Sequence, residues 1–319
     1  MKHGVCISLL AVLTLLTPLA RAEEPQSVEA LLSKKTRLMV FAPHPDDESL
    51  GAAGIIQRVL SVGGKVNVVF MTSGDGFPEG VQMEDHISHP TAKDYIGYGE
   101  QRKEEAHRAL GTLGMKEEDA IFLGFPDGGL CYLLWKFRSN SDVYTSPFTK
   151  EDHPPASETI IPHTEYNGYD LRKEVQRVLA DFRPNLLVFT QPEDQHPDHC
   201  ATYHFVREAL RDLENRGSPL KAKVLTFLIH FGQWPLAQGS GTGSRLNPPD
   251  GFPDKEARWR PFTLQTSEAE TKLKAILQHQ SQMLVMGRYL LSFARANELF
   301  ILEEKGMEKD MEKMPCCWK

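Results

Sequence analysis

The chain has no block of basic residues, no CxxC pair, no internal repeat and no low-complexity tract. At a formal net charge of −7 it lacks the positive face that a nucleic acid or an anionic membrane surface would require. Five cysteines in 319 residues are too few for a disulfide framework. Without CxxC spacing, a closed structural zinc site is a poor reading. Cys131, Cys200, Cys316 and Cys317 lie outside the N-terminal apolar segment, and the adjacent last pair would bridge each other only with strain. They read as free or partly buried thiols. No apolar run reaches the ~20 residues of a bilayer span. The longest, Val5–Ala20, follows a short basic start and precedes Ala20-Arg21-Ala22, with small residues at −3 and −1 of a cleavage site. Residues 1–22 are therefore expected to be a secretory signal peptide rather than an uncleaved anchor, and the mature protein to be periplasmic or secreted, with no stable membrane span.

Just under 300 residues remain, enough for one large domain over 23–302, followed by a charged tail over 303–319. Apolar β-branched runs alternate with helical patterns. Strands are predicted at Arg37–Ala42, Lys65–Thr72, Ala120–Leu123, Asn185–Thr190 and Lys223–Ile229. Helices are predicted at Ser49–Gly63, Gly99–Leu113, Asp170–Phe182, Cys200–Asn215 and Ser267–Gln280. The expected fold is α/β, a Rossmann-like, mostly parallel sheet in the order 3-2-1-4-5 with helices on both faces. In that order the first and fourth strands are neighbours, and ligands bind at their carboxyl ends, where the winding reverses.

Two short clusters follow those two strands: His44-Pro45-Asp46-Asp47-Glu48 and His196-Pro197-Asp198-His199. In each, residues three apart in a strand-to-helix turn can converge on one point. Two imidazoles and one carboxylate would leave a coordination position open for water, as catalytic zinc requires. Such an ion lowers the pKa of water towards ~7, and a neighbouring carboxylate, for which Asp46 is placed, can take the proton. An imidazole left over from ligation could stabilise an oxyanion or protonate a leaving group, with Asp198 setting its tautomer and raising its pKa. Spacing alone does not choose between His196 and His199 as the ligand. Either cluster by itself could simply cap the helix it precedes; both together, after neighbouring strands, point to one site. Cys200 and His204 are expected to turn away with the following helix.

Three long connections, Ser73–Tyr98, Gly124–Tyr169 and Phe231–Thr266, should rim the same face. The middle one carries Tyr132, Trp135, Phe137, Tyr144, Tyr166 and Tyr169. These rings either pack the loop onto the domain or offer flat apolar faces to a ligand.

The two clusters resemble the signature motifs of the LmbE/PIG-L family of metal-dependent N-deacetylases, which act on N-acetylglucosamine-containing conjugates. Further similarity runs through Met71–Gly76, Arg102–Ala106 with Leu110-Gly111, Leu123–Gly128, Lys274-Ala275 and His279–Gln282, so it spans residues 37–282. The resemblance implies His44, Asp47 and His199 as zinc ligands, Asp46 as general base, His196 as oxyanion stabiliser or acid, and Asp198 as its partner. It also implies sugar contacts by Arg102 and Asp127; without it these would be a helix charge and a turn-forming Asp. Glu48 is expected to complement a helix N-terminus. Zinc suits the His2Asp set, with Fe(II) and Co(II) also compatible. The expected activity is removal of an N-acetyl group from an amino sugar, glycoconjugate or glycan. The alternatives are hydrolysis of another amide, or a metal-dependent glycan-binding protein with no activity. A binding protein would have no use for Asp46 and His196.

Overall fold

The computed structural model describes Met1, residues 27–236, 239–253 and 259–303, and Cys317. Apart from Met1, Glu303 and Cys317, the expected signal peptide and charged tail lie outside the described residues. Among those described, no helix is long and apolar enough to cross a membrane.

Five parallel strands, β1 (Arg37–Ala42), β2 (Lys65–Thr72), β3 (Ala120–Phe125), β4 (Leu186–Thr190) and β5 (Lys223–Phe227), form the body of the sheet. The sheet order is β3-β2-β1-β4-β5-β7-β6, so the expected 3-2-1-4-5 arrangement is present. Beyond β5 it continues through two strands not predicted, β6 (Trp259–Thr263) and β7 (Asn297–Glu303), both antiparallel to their neighbours. β6 is an edge strand containing Pro261, a residue tolerated only where a ladder hydrogen bond can be spared.

Along β1 the side chains alternate between two cores. Leu38, Val40 and Ala42 pack with α2 (Ala53–Ser61), α4 (Ala92–Thr112) and α8 (Thr266–Ile276). Met39 and Phe41 pack with α5 (Leu130–Trp135), α6 (Gly168–Phe182) and α7 (Pro197–Asn215). Burial on both faces is why these strands read as continuous apolar runs. The predicted Ser49–Gly63 helix is two helices, α1 (Asp47–Gly51) and α2, broken at Ala52 (φ −137°, ψ 5°). Three helices, α3 (Pro78–Asp85), α5 and α9 (Gln280–Leu291), lie in segments not predicted as helical.

The expectation of free thiols is overturned. Cys131 on α5 is bonded to Cys317, with the two Cα atoms 5.5 Å apart across a separation of 186 residues, and Cys200 is disulfide-bonded as well. Pairing depends on which cysteines the fold brings together, and spacing does not carry that. In the middle loop the rings divide: Tyr144 and Tyr166 are buried, whereas Tyr132 and Trp135 are 45% and 40% exposed.

Candidate metal centre

β1 and β4 lie side by side in register, Val40 against Val188, so their carboxyl ends deliver both clusters to one place. α7 begins at Pro197, three residues earlier than predicted, so His196 is its N-cap and Asp198 and His199 lie in its first turn. Asp46 is likewise the N-cap of α1. Its φ of 144° is a conformation rarely adopted by a side-chain-bearing residue, and such strain persists where surroundings over-determine it. Here Arg102 does so. Its Nη2 donates to Pro45 O (2.8 Å) and lies 3.3 Å from Asp46 Oδ2, while Nη1 donates to Gly74 O (2.8 Å). A Cβ on Gly74, whose φ is +67°, would sit 2.1 Å from that guanidinium.

Three atoms form a nearly equilateral triangle. His199 Nε2 is 3.2 Å from His44 Nδ1, and Asp47 Oδ2 is 3.3 Å from each. Edges of this length suit a tetrahedral ion with bonds of about 2 Å. Two other groupings, His44/His196/His199 and His44/Asp127/Asp198, also bring donor atoms within 4.8 Å of one another. The triangle has all three edges at 3.2–3.3 Å, and it joins two imidazole nitrogens to a carboxylate oxygen. The residues present therefore fit a divalent cation.

Carboxylates hold the triangle from behind. His199 Nδ1 lies 3.2 Å from Asp194 Oδ2, which also accepts the backbone N–H groups of Ile229 (2.9 Å) and His230 (3.0 Å). Asp194 Oδ1 accepts the His196 N–H (3.0 Å). Burial pushes the Asp194 carboxyl up, but His199 and His230 outweigh it and bring it down to about 2. His44 Nε2 lies 3.1 Å from Asp127 Oδ1 and 3.4 Å from Asp198 Oδ2. Carboxylates behind ligating imidazoles set ring orientation and basicity.

Asp198 is a correction. Its carboxylate does not pair with His196; it accepts the Gly128 and Leu130 N–H groups (2.7 and 3.0 Å) and faces His44. On the first turn of α7 its side chain projects towards the β3–α5 loop, leaving only its backbone N–H for His196 Nδ1 (3.3 Å). That contact places the His196 proton on Nε2. Burial, reinforced by His44, His199 and His230, pushes His196 well below the usual imidazole range rather than above it.

The remaining predicted residues are close by. Asp46 is buried, and desolvation raises its carboxyl to about 6 against the opposing pull of Arg102. Arg102 and Asp127 are 4% and 6% exposed and already engaged, Asp127 Oδ2 accepting the Gly76 N–H at 2.7 Å. Glu48 accepts the Asp46 N–H (3.0 Å), as expected of a group at a helix start, and also meets Ser49 Oγ (2.6 Å) and His279 Nε2 (3.3 Å). His204 is buried away from the triangle with neither ring nitrogen hydrogen-bonded, and Cys200 is in its disulfide. Sequence reasoning missed Asp194 and His230. The first sits two residues before His196; the second follows β5, its ring 4.8 Å from His199 and 5.3 Å from His196.

A buried His2Asp triangle at the switch point of a doubly wound sheet, with a further carboxylate beside it, belongs to the class of metal-dependent hydrolases. Residues 39–210, more than half of the chain, match the family model described as PIG-L: GlcNAc-PI de-N-acetylase. The chain belongs to this PIG-L (LmbE) family and is a metal-dependent N-deacetylase. A 1D-myo-inositol 2-acetamido-2-deoxy-alpha-D-glucopyranoside deacetylase from Nocardiopsis dassonvillei is 27% identical over 285 residues, covering 83% of this chain and 91% of its own. Among solved structures, N,N'-diacetylchitobiose deacetylase from Pyrococcus horikoshii superposes with a TM-score of 0.52 at 17% identity, covering 84% of each chain. The 4-carboxy-2-hydroxymuconate hydratase GalB from a Pseudomonas superposes with a TM-score of 0.51 at 14% identity, covering 86% of this chain and 98% of that one. At these identities the likeness shows the fold alone, and a hydratase among the neighbours illustrates that the fold does not choose the reaction.

Proposed function

We propose that the protein is a zinc-dependent hydrolase that removes the acetyl group from an N-acetylglucosamine-type sugar or glycoconjugate. The observation that carries this reading is the 3.2–3.3 Å triangle of His44 Nδ1, Asp47 Oδ2 and His199 Nε2 with Asp46 against it. The match to a GlcNAc-PI de-N-acetylase model and the likeness to a deacetylase of an acetamido sugar support the substrate class.

Held by those three residues, zinc would supply Lewis acidity, polarising the amide carbonyl and lowering the pKa of water towards ~7. Asp46, with a carboxyl near 6, is ionised at neutral pH and able to take the proton of the attacking water. It is also a strong enough acid, once protonated, to deliver that proton to the departing nitrogen, so that acetate and the free amine leave. His196, whose Nδ1 accepts the Asp198 N–H, would donate from Nε2 to the developing oxyanion. Arg102 fixes the backbone on which Asp46 sits, and any contact that it or Asp127 makes to the sugar adds to the bonds they already make.

We also place the protein outside the cytoplasm. The apolar segment ahead of Ala20-Arg21-Ala22 supports export, and so do the disulfides, which persist in oxidising compartments.

The test is acetate release by zinc-loaded protein from a panel of N-acetylglucosaminyl conjugates and chitin- or peptidoglycan-type oligomers. Turnover of at least one is expected, and its loss in Asp46→Asn with zinc retained. No acetate from any conjugate, with zinc bound, would overturn the reading. Loss of zinc from Asp46→Asn would make Asp46 a ligand rather than the base.

A further inference from the structure

Beyond the triangle, on the side of β5, lies a second cavity of about 470 Å³ that the chemistry above does not use. Its lining includes Phe231, Trp234, Leu236, Arg245, Asp250 and Arg295. Its wall adjoins the metal centre along the chain. His230 stands 5.3 Å from the His196 ring, its carbonyl accepts the Gln195 N–H (2.9 Å), and Gly232 N–H returns to Gln195 Oε1 (2.8 Å). The wall at Phe231 and Gly232 therefore begins one residue past His230.

The charge in this cavity is unbalanced. Arg295 is only 7% exposed, yet Nη1 donates solely to the carbonyls of Gly239 (2.9 Å) and Ala294 (3.2 Å). Among the described residues no carboxylate pairs with it or with Arg245, and Asp250, which also lines the cavity, forms an ion pair with neither. A guanidinium withdrawn from water without an acid is costly, and burial pulls the Arg295 pKa down with no neighbouring charge to offset it. The loop is shaped to permit this: a Cβ on Gly241 would sit 3.0 Å from Arg295 Nη1. Trp234 is held beside it by Nε1–H donation to Asn247 O (2.8 Å) and an edge contact with Phe293. Its ring, with Phe231, offers the apolar face on which a sugar can lie.

We propose that this cavity is a second subsite, in which Arg245 and Arg295 receive an anionic group, carboxylate or phosphate, carried by the conjugate beyond the acetylated sugar. A guanidinium fork matches either anion. This rests on the deacetylase reading, since it names the kind of conjugate the same site accepts.

The experiment uses the full chain loaded with zinc and three disaccharides of equal length: N-acetylglucosamine linked to glucose, to glucuronate and to glucose 6-phosphate. Charge-assisted hydrogen bonds are each worth enough for the favoured acidic conjugate to show a KM about tenfold below that of the neutral one, with kcat little changed. The two acidic arms tell carboxylate from phosphate. In Arg245→Gln, an exposed position expected to fold normally, the ratio of neutral to acidic KM should collapse towards one; Arg295→Met should do the same. Calorimetric binding of the three disaccharides to zinc-loaded Asp46→Asn gives a readout independent of turnover. Anion preference in binding that Arg245→Gln abolishes would keep the subsite whether or not the parent protein deacetylates these disaccharides, the deacetylase reading itself falling only if the full conjugate panel releases no acetate. Equal KM and equal binding for all three disaccharides, with deacetylation intact, would overturn the subsite alone.

Discussion

At the scale of single residues, the site works by turning one nitrogen of each ligating imidazole to supporting carboxylates and the other to the triangle. His44 turns Nε2 to Asp127 and Asp198 and Nδ1 to the triangle; His199 turns Nδ1 to Asp194 and Nε2 to the triangle. Asp194 is thus as much part of the centre as the residues it supports. Replacing it by Asn removes the charge behind His199 while preserving shape, and partners of this kind are worth about 10- to 100-fold in metal affinity. Zinc competition against a chromophoric chelator should show a loss in that range for Asp194→Asn; affinity equal to wild type would remove Asp194 from the centre. Asp75 presents the opposite electrostatic case. Burial, with Asp127 nearby, raises its carboxyl to about 7. A folded pKa above the unfolded one means that the folded state binds the proton more tightly. The associated stability is present below about pH 4 and is lost as pH rises through about 7. Asp75→Asn should therefore raise the melting temperature more at pH 8 than at pH 5 in chelator-treated protein. An equal effect at both values would contradict the assignment.

At the scale of elements, two devices join segments that are far apart in sequence. Glu298 on β7 accepts the Gly54 and Ile55 N–H groups at the start of α2, and Lys272 on α8 bridges Glu298 Oε1 (2.9 Å) and Leu50 O (2.7 Å). Both charges are 1% exposed. Removing one member of a buried pair strands the other, so Lys272→Met should cost about 3–5 kcal/mol in denaturant unfolding. A cost under about 1 kcal/mol would mean that the pair is solvated on the scale that matters. The second device is the Cys131–Cys317 bond, which ties α5 to the C-terminal end of the chain. α5 begins at Leu130, whose N–H is held by Asp198 beside His44. Cys131→Ser should lower stability by about 2–4 kcal/mol; an unchanged denaturant midpoint would show that the bond does not contribute.

At the scale of the whole molecule, legibility followed burial. β1 to β5 could be placed within a residue or two of their ends because strands covered on both faces must be apolar along their length. β6 and β7 could not, since an edge strand carrying Pro261 and a strand ending in Glu303 lack that pattern. α3 and α5 are short, and α9 has an internal kink at Met286, so none shows a sustained helical period. The two His/Asp clusters were legible because their members lie within five residues of one another. Asp194 lay beside a cluster, but its role depends on atoms of the β5 end, and His230 is a lone imidazole after a strand.

The sequence by itself determined the doubly wound order, the two clusters and their family, because hydrophobic period and local spacing are written residue by residue. The tertiary structure alone decided that Asp198 serves His44 rather than His196, that Cys131 bonds Cys317, and that Arg295 is buried without an acid among the described residues. Each of these is a contact between segments that only the folded sheet brings within a few ångströms, and the energy of such contacts depends on distance and burial, neither of which a linear chain contains.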